Sequence, residues 1–168
     1  VTLSDMMTDN LFESGESLGN FQNFSRWTYT ADDPNIDATW LAAYPVIQQC
    51  NLTLRNIDKL YAENPGAVNR IKAQALALRA HVHLDVLRYW REDNGRNSNL
   101  KGIPYVDTFD IEKKPARISV AQTYDAMVKD LMNAKVLMQD LDKPIQSVTS
   151  TASTARGYID ELGVNAIL

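Results

Sequence analysis

Apolar residues recur along most of this chain at intervals of three and four, and the longest such run, from Pro65 to about Glu92, is apolar on nearly every side. Ala73, Ala77, Ala80, Leu84 and Leu87 make one helical stripe, and Ala75, Leu78, Val82, Val86 and Tyr89 make a second. A surface helix needs only one apolar face, so two stripes predict neighbours on two sides. Alanines at one-turn spacing also let a partner backbone come close, as between stacked helix pairs. Asn64 before Pro65 marks the start, offering a side-chain oxygen to an orphan N–H and a proline where a missing N–H costs nothing.

The same period predicts a helix from Ile36 or Asp37 to about Tyr61, with Trp40, Ala43, Tyr44, Ile47, Cys50, Leu54, Ile57 and Leu60 on its apolar face. Pro45 lies inside it and predicts a kink or a break. The short link over 62–66 makes this helix and the next antiparallel neighbours. Residues 93–118 read as a polar loop followed by an extended crossing, because Pro104 and Pro115 exclude regular helix. Ser119 with Gln122 three residues on has capping-box spacing and opens a helix buried through Val120, Tyr124, Met127, Val128, Leu131, Ala134, Leu137 and Met138, stopped by Lys143-Pro144.

At the ends the pattern is weaker. Residues 3–14 predict a short helix capped at Ser4, with Leu3, Met6, Met7, Leu11 and Phe12 apolar. Gln146 to Thr154 is a Ser/Thr-rich linker, and a last helical pattern from about Thr154 carries Tyr158, Ile159, Leu162, Ala166 and Ile167 to Leu168 without a stop signal. The chain therefore reads as a piece of a longer protein. The expectation is an all-α fold, one helical domain over 1–168, built from antiparallel helix hairpins of tetratricopeptide-repeat type at 37–91 and 119–168 with long irregular loops.

Composition changes this picture little. With 168 residues, 45% hydrophobic and 23% charged, the chain can bury one core. Its net charge of -4 argues against a nucleic-acid partner, which would call for a basic face. No run approaches the roughly 18 apolar residues of a membrane span. Cys50 falls on an apolar helix face and reads as a buried thiol.

Candidate chemistry is sparse. His81 and His83 stand about 200° apart around a helix and cannot chelate one ion, so no metal or other cofactor is expected, and Asp85 or Arg79 are their natural partners. No nucleophile elbow or phosphate-cradling glycine loop is present, and no enzymatic activity is expected. Trp40 and Trp90 read as structural, and Arg88, Arg91, Arg96 and Lys101 with Glu92 and Asp93 as a mixed solvated surface.

The informative stretch is the aromatic loop over 15–35, bounded by Gly15, Gly19 and the turn Asp32-Asp33-Pro34-Asn35. Sugar rings stack apolar C–H faces on flat aromatic rings while their hydroxyls need fixed polar partners. Trp27 and Tyr29 could supply stacking, and Arg26, Asp32, Asp33 and Asn35 hydrogen bonds. The other reading is that Phe21, Phe24 and Trp27 tuck the loop onto the helices, with Asp32 and Asp33 as solvated capping residues.

Four motifs come in order: Trp40-x-x-x-Tyr44-x-x-Ile47-x-x-Cys50-Asn51, the helix ALALRAHVHLDVLRYW over 75–90, Gly102-Ile103-Pro104-Tyr105-Val106, and Arg117-x-x-Val120-x-x-x-Tyr124-x-x-x-x-x-Asp130-Leu131-x-x-Ala134. Together, over about 37–139, they resemble the N-terminal part of the SusD/RagB family of Bacteroidetes outer-membrane lipoproteins. The resemblance implies a surface-exposed, non-catalytic protein that captures oligosaccharide or polysaccharide, in some members peptides, and sits on a SusC-like TonB-dependent transporter. It implies membrane attachment only through a lipid anchor, which would have preceded Val1, since Cys50 matches an interior apolar position. The last helix departs from the family pattern, which is usually richer in alanine, in carrying Gly157 and Gly163. A helical-repeat scaffold for a protein or peptide partner is the alternative, and it predicts that Trp27 and Tyr29 are buried.

Overall fold

The computed structural model describes residues 3–8, 11, 13–16, 19, 21–110, 112–138, 159 and 161–168, without the side chains of Leu3, Ser4 and Leu162. They fall into two compact units, Val1–Leu41 and Ala42–Leu168. The elements are α1 (Leu3–Met6), α2 (Gln22–Ser25), α3 (Pro34–Asn56) continued by a 3₁₀ turn (Ile57–Leu60), α4 (Pro65–Trp90), α5 (Val120–Met138) and α6 (Glu161–Ile167). Among the described residues the only strand-like pairing is an isolated bridge between Lys101 and Ser119. The fold is all-α, as the periodicity predicts.

In the first unit α1 ends at Met6, well short of the helix expected over 3–14, and it begins before Ser4, which is therefore not its cap. Leu11, Glu13 and Ser14 are outside any helix, while Phe12 lies outside the described residues. Four residues gain too few backbone bonds to propagate a helix, so α1 depends on packing against α2. The first turn of α3 opens earlier than expected, at Pro34, because Asp33 caps it: its Oδ1 accepts the N–H of Asn35 at 2.8 Å.

Of the kink or break expected at Pro45, the break does not occur; α3 runs through it. Proline removes one backbone bond, and the burial of Ile47, Cys50 and Asn51 just beyond holds the helix together. Asn64 caps α4, its Oδ1 accepting from the N–H of Ala67 at 3.0 Å, with Pro65 in the first turn. Along α3 and α4 the partners run in opposite directions: Asp58 with Lys72 at 2.8 Å, Asn51 with Arg79 at 2.6 Å, and Tyr44 edge-on to His83 at 6.5 Å. The two are antiparallel neighbours. Arg79 with Asp130 and Arg91 with Tyr124 set α4 antiparallel to α5 on its other side.

The first alanine stripe is the face toward α5: Ala73, Ala77, Ala80 and Leu87 are fully buried. The second expected stripe is only partly covered, for Ala75 and Val86 are buried while Leu78 and Tyr89 are 38% and 40% exposed. The second packed face is instead Leu76, Arg79, His83 and Val86, about a quarter-turn away. Two polar residues occupy it, and that is why an apolar count misplaced it.

Those polar residues form a buried knot. Arg79 donates Nε and Nη2 to the two oxygens of Asp130, each at 2.7 Å, and Nη1 to Asn51 Oδ1 at 2.6 Å and the carbonyl of Asp107 at 3.0 Å. The Asn51 amide reaches the carbonyls of Val106 at 3.0 Å and Thr108 at 3.2 Å. His83 accepts the Val106 N–H at Nε2, 3.1 Å away, so its proton sits on Nδ1 and is donated to the Arg79 carbonyl at 2.8 Å. The ring stacks on Tyr105 at 4.1 Å, and burial pushes its pKa down from 6.5 to about 4. The crossing between α4 and α5 is thus tied to three helices through groups that need their partners once dry.

Ser119 and Gln122 make the expected capping box at the start of α5, with reciprocal bonds of 3.0 and 3.1 Å. Arg117 seals the other end of the crossing, donating to the carbonyls of Gly102 and Trp90 at 2.7 Å each, the latter in the last turn of α4. Cys50 is buried and its thiol pKa is raised by that burial. α6 packs on α5 with Val164 fully buried. The Lys143-Pro144 stop, the Gln146–Thr154 linker and Tyr158 lie outside the described residues.

Candidate functional site

The aromatic segment is organised by one helical turn. α2 ends in a Schellman arrangement: the Thr28 N–H reaches back to the Asn23 carbonyl at 2.8 Å and the Trp27 N–H to the Phe24 carbonyl at 3.1 Å. This closure needs a left-handed residue at the position Trp27 holds, where glycine is the usual choice, and Trp27 has φ of 56°. A left-handed conformation costs an L-residue about 1–2 kcal/mol. Burial offsets little of it, since Trp27 is 65% exposed.

Three rings step outward from the inside of this unit. Phe24 is 1% exposed; Tyr29 lies stacked on it at 5.2 Å and 18° between planes and is half-buried; Trp27 follows at 6.5 Å from Tyr29, tilted by 43°. Phe21 contributes a tilted contact to Phe24 at 6.5 Å. Phe24 is therefore the loop anchor, Tyr29 rests on the anchor, and Trp27 presents its ring to solvent.

The polar residues divide in the same way. Arg26 and Asp32 are exposed. The Thr30 hydroxyl donates to Asp32 at 2.6 Å and holds that carboxyl below its ordinary pKa. Asp33 caps α3 with one oxygen and accepts a hydrogen bond from the Asn23 amide with the other, so it pins the segment onto the helix. Asn35 sits in the first turn of α3, its carbonyl accepting from the Thr39 hydroxyl at 2.8 Å. All six expected residues thus lie in one segment, with Trp27, Arg26 and Asp32 outermost.

Sequence reasoning missed the parts that hold this arrangement: Asn23, Thr30 and the left-handed backbone of Trp27. Thr30-x-Asp32 was a legible hydroxyl–carboxylate spacing. Tryptophan in a glycine position leaves no such signal.

The histidines behave as helix residues. His81 lies 3.7 Å from Asp85 and is half-exposed, whereas His83 is inside the knot on the opposite side. Among the described residues no group of three or more His, Cys, Asp or Glu is placed to hold a metal ion, and no helix is long and apolar enough to cross a membrane.

A SusD-like family model, described as starch-binding and associating with the outer membrane, matches residues 2–159. Among solved structures, a candidate sugar-binding protein from Bacteroides vulgatus is 30% identical with a TM-score of 0.67, covering 90% of this chain and 31% of that one. A SusD superfamily protein from Bacteroides thetaiotaomicron is 24% identical with a TM-score of 0.67, covering 94% of this chain and 32% of that one. Another from Bacteroides vulgatus is 22% identical with a TM-score of 0.61 and covers 79% of this chain and 30% of that one. The last two are likenesses of fold. The chain spans about a third of the length of these solved relatives. No curated protein matches it.

Proposed function

The chain belongs to the SusD-like family, and from that premise we propose that it is the helical-repeat part of a non-catalytic surface protein that captures oligosaccharide and passes it to a SusC-like TonB-dependent transporter in the outer membrane. The observation that carries the glycan reading is the exposure of the Trp27 ring beside the half-buried Tyr29. A buried Trp27 would have favoured the helical-repeat scaffold with a protein or peptide partner. An indole with an open face suits the C–H face of a pyranose, and the Asp32 carboxylate and Arg26 guanidinium supply an acceptor and donors for its hydroxyls.

Under this reading Trp27 and Tyr29 stack the sugar, and Arg26, Asp32 and Asn35 bind hydroxyls. Asp33 joins them through position, since both its oxygens are engaged within the segment. Attachment to the membrane is through a lipid anchor, and the protein stands at the cell surface. Isothermal titration of the full-length protein against a panel of oligosaccharides tests the role. Saturable binding that Trp27→Ala weakens is the expected result; absence of binding to every glycan, or turnover of one, would refute it.

A further inference from the structure

The backbone at Trp27 separates two properties that usually travel together. A ring that anchors a fold is buried, and its backbone sits in an ordinary conformation; Trp27 is exposed and left-handed. The Schellman closure of α2 would form with less strain if glycine stood there, so the indole is not what makes the turn. Phe24 already supplies the anchor, and Tyr29 already covers one side of it. Such an outlier, held by its surroundings and left mostly exposed with one tilted ring contact to Tyr29, points to a use for the ring itself.

The charges around it narrow the ligand. Over residues 21–37 one arginine, Arg26, stands against three aspartates, Asp32, Asp33 and Asp37. Asp32 is exposed and stays ionised through its bond from Thr30. An anionic sugar brought onto this surface would meet net negative charge, whereas a neutral ring would find acceptors for its hydroxyls.

We propose that Trp27 is the principal stacking surface of the site, kept in a left-handed conformation at the expense of fold stability, and that it takes the C–H face of a neutral pyranose. This rests on the glycan-binding role proposed above. Removing the ring and the strain together, as Trp27→Gly does, makes the protein more stable and less able to bind. Removing the ring alone, as Trp27→Ala does, loses binding without that gain, because alanine keeps the left-handed penalty.

The experiment measures melting temperature and glycan affinity of the full-length wild type, Trp27→Gly and Trp27→Ala, using neutral gluco- and manno-oligosaccharides and an oligogalacturonate of similar length. Expected are wild-type binding to at least one neutral ligand and weaker or no binding to the oligogalacturonate. Both variants should lose affinity by about tenfold or more, and the melting temperature should rise by a few degrees in the glycine variant alone. Neutral-glycan binding that survives in both variants would overturn the assignment of Trp27 while leaving the glycan role standing. So would a loss of stability in the glycine variant, which would make the ring an anchor. Oligogalacturonate bound as tightly as neutral glycans would overturn the ligand class. A wild type that binds no glycan would overturn the proposed role itself, and this assignment with it, whatever the melting temperatures show.

Discussion

The Tyr105 hydroxyl lies 2.5 Å from Oδ2 of Asp130, the same oxygen that receives Nε of Arg79 at 2.7 Å. Three donors from the crossing and α4 therefore converge on one carboxylate that is 6% exposed. Burial and the Asp130 charge push the Tyr105 phenol far above its ordinary pKa, so it stays a donor. Asp130→Asn would turn one acceptor oxygen into an amide donor facing the buried Arg79, and breaking a buried pair in this way costs about 3–5 kcal/mol. Equilibrium urea denaturation should show that loss as a lower midpoint. Tyr105→Phe, which leaves the ion pair intact, should lose less, about 1.5–3 kcal/mol.

His83 makes stability depend on pH in a definite direction. Its folded pKa is near 4 against an ordinary 6.5. Above pH 6.5 both folded and unfolded states are neutral there, and the stability is complete. Between pH 6.5 and 4 the unfolded chain takes up a proton that the folded one refuses, so stability falls as pH falls, by about 3 kcal/mol in all. Arg79 on the same helix opposes the charged ring, while Asp130 of α5 and Asp107 of the crossing favour it less strongly than burial disfavours it. Denaturation of wild type and His83→Gln at pH 7 and pH 4.5 should show a clearly smaller drop in the variant. Equal drops would mean that other groups carry the acid sensitivity.

Gly102 is held to glycine by space. A Cβ there would lie 2.6 Å from the Thr123 hydroxyl and 3.1 and 3.2 Å from the carbonyl oxygens of Ser119 and Ile118. The hydroxyl could turn aside, but the two carbonyls belong to the backbone that carries the Gly102–Ile118 bond and the capping box of α5. Gly102→Ala should destabilise by about 1–3 kcal/mol, as overpacking does. Thermal melting of the variant checks this. Adding Thr123→Ala, which removes that hydroxyl, should recover only part of the loss.

Much of the fold was legible because it follows from period and punctuation. The Asn64-Pro65 start, the Ser119/Gln122 box and the alanine face toward α5 are local signals that tertiary structure did not override. The face of α4 toward α3 was not legible as a face, since Arg79 and His83 look like surface residues until Asp130, Asn51 and Val106 arrive from 23 to 51 residues away. Yet Asn51, Arg79, His83, Tyr105 and Asp130 all stood inside the four motifs read as a family resemblance. In this chain the knot ties them together: each satisfies another that is buried. In the aromatic segment, residue types named the six site candidates, but only coordinates separate an exposed Trp27 from an anchored Phe24 and an engaged Asp33.

Asp33 gives the sharpest test of how the aromatic segment is held. Its two oxygens link the Asn23 amide to the N-terminus of α3, and Asn23 in turn accepts the Thr28 N–H that closes the turn under Trp27. Asp33→Ala removes the cap at a cost of about 1 kcal/mol and releases Asn23. The left-handed Trp27 then has one constraint fewer, and a strained residue persists only where its surroundings over-determine it. Amide hydrogen exchange at Trp27 and Thr28 should speed up in this variant while the knot amide of Val106 keeps its protection. Asp32→Asn offers the contrast: that carboxylate is exposed and its side-chain partner is Thr30, so exchange at Trp27 should stay as in the wild type while sugar binding weakens. If Asp32→Asn instead loosened Trp27 as much as Asp33→Ala does, the two aspartates would share one structural task, and the division between a ligand-facing and a framework carboxylate would be wrong.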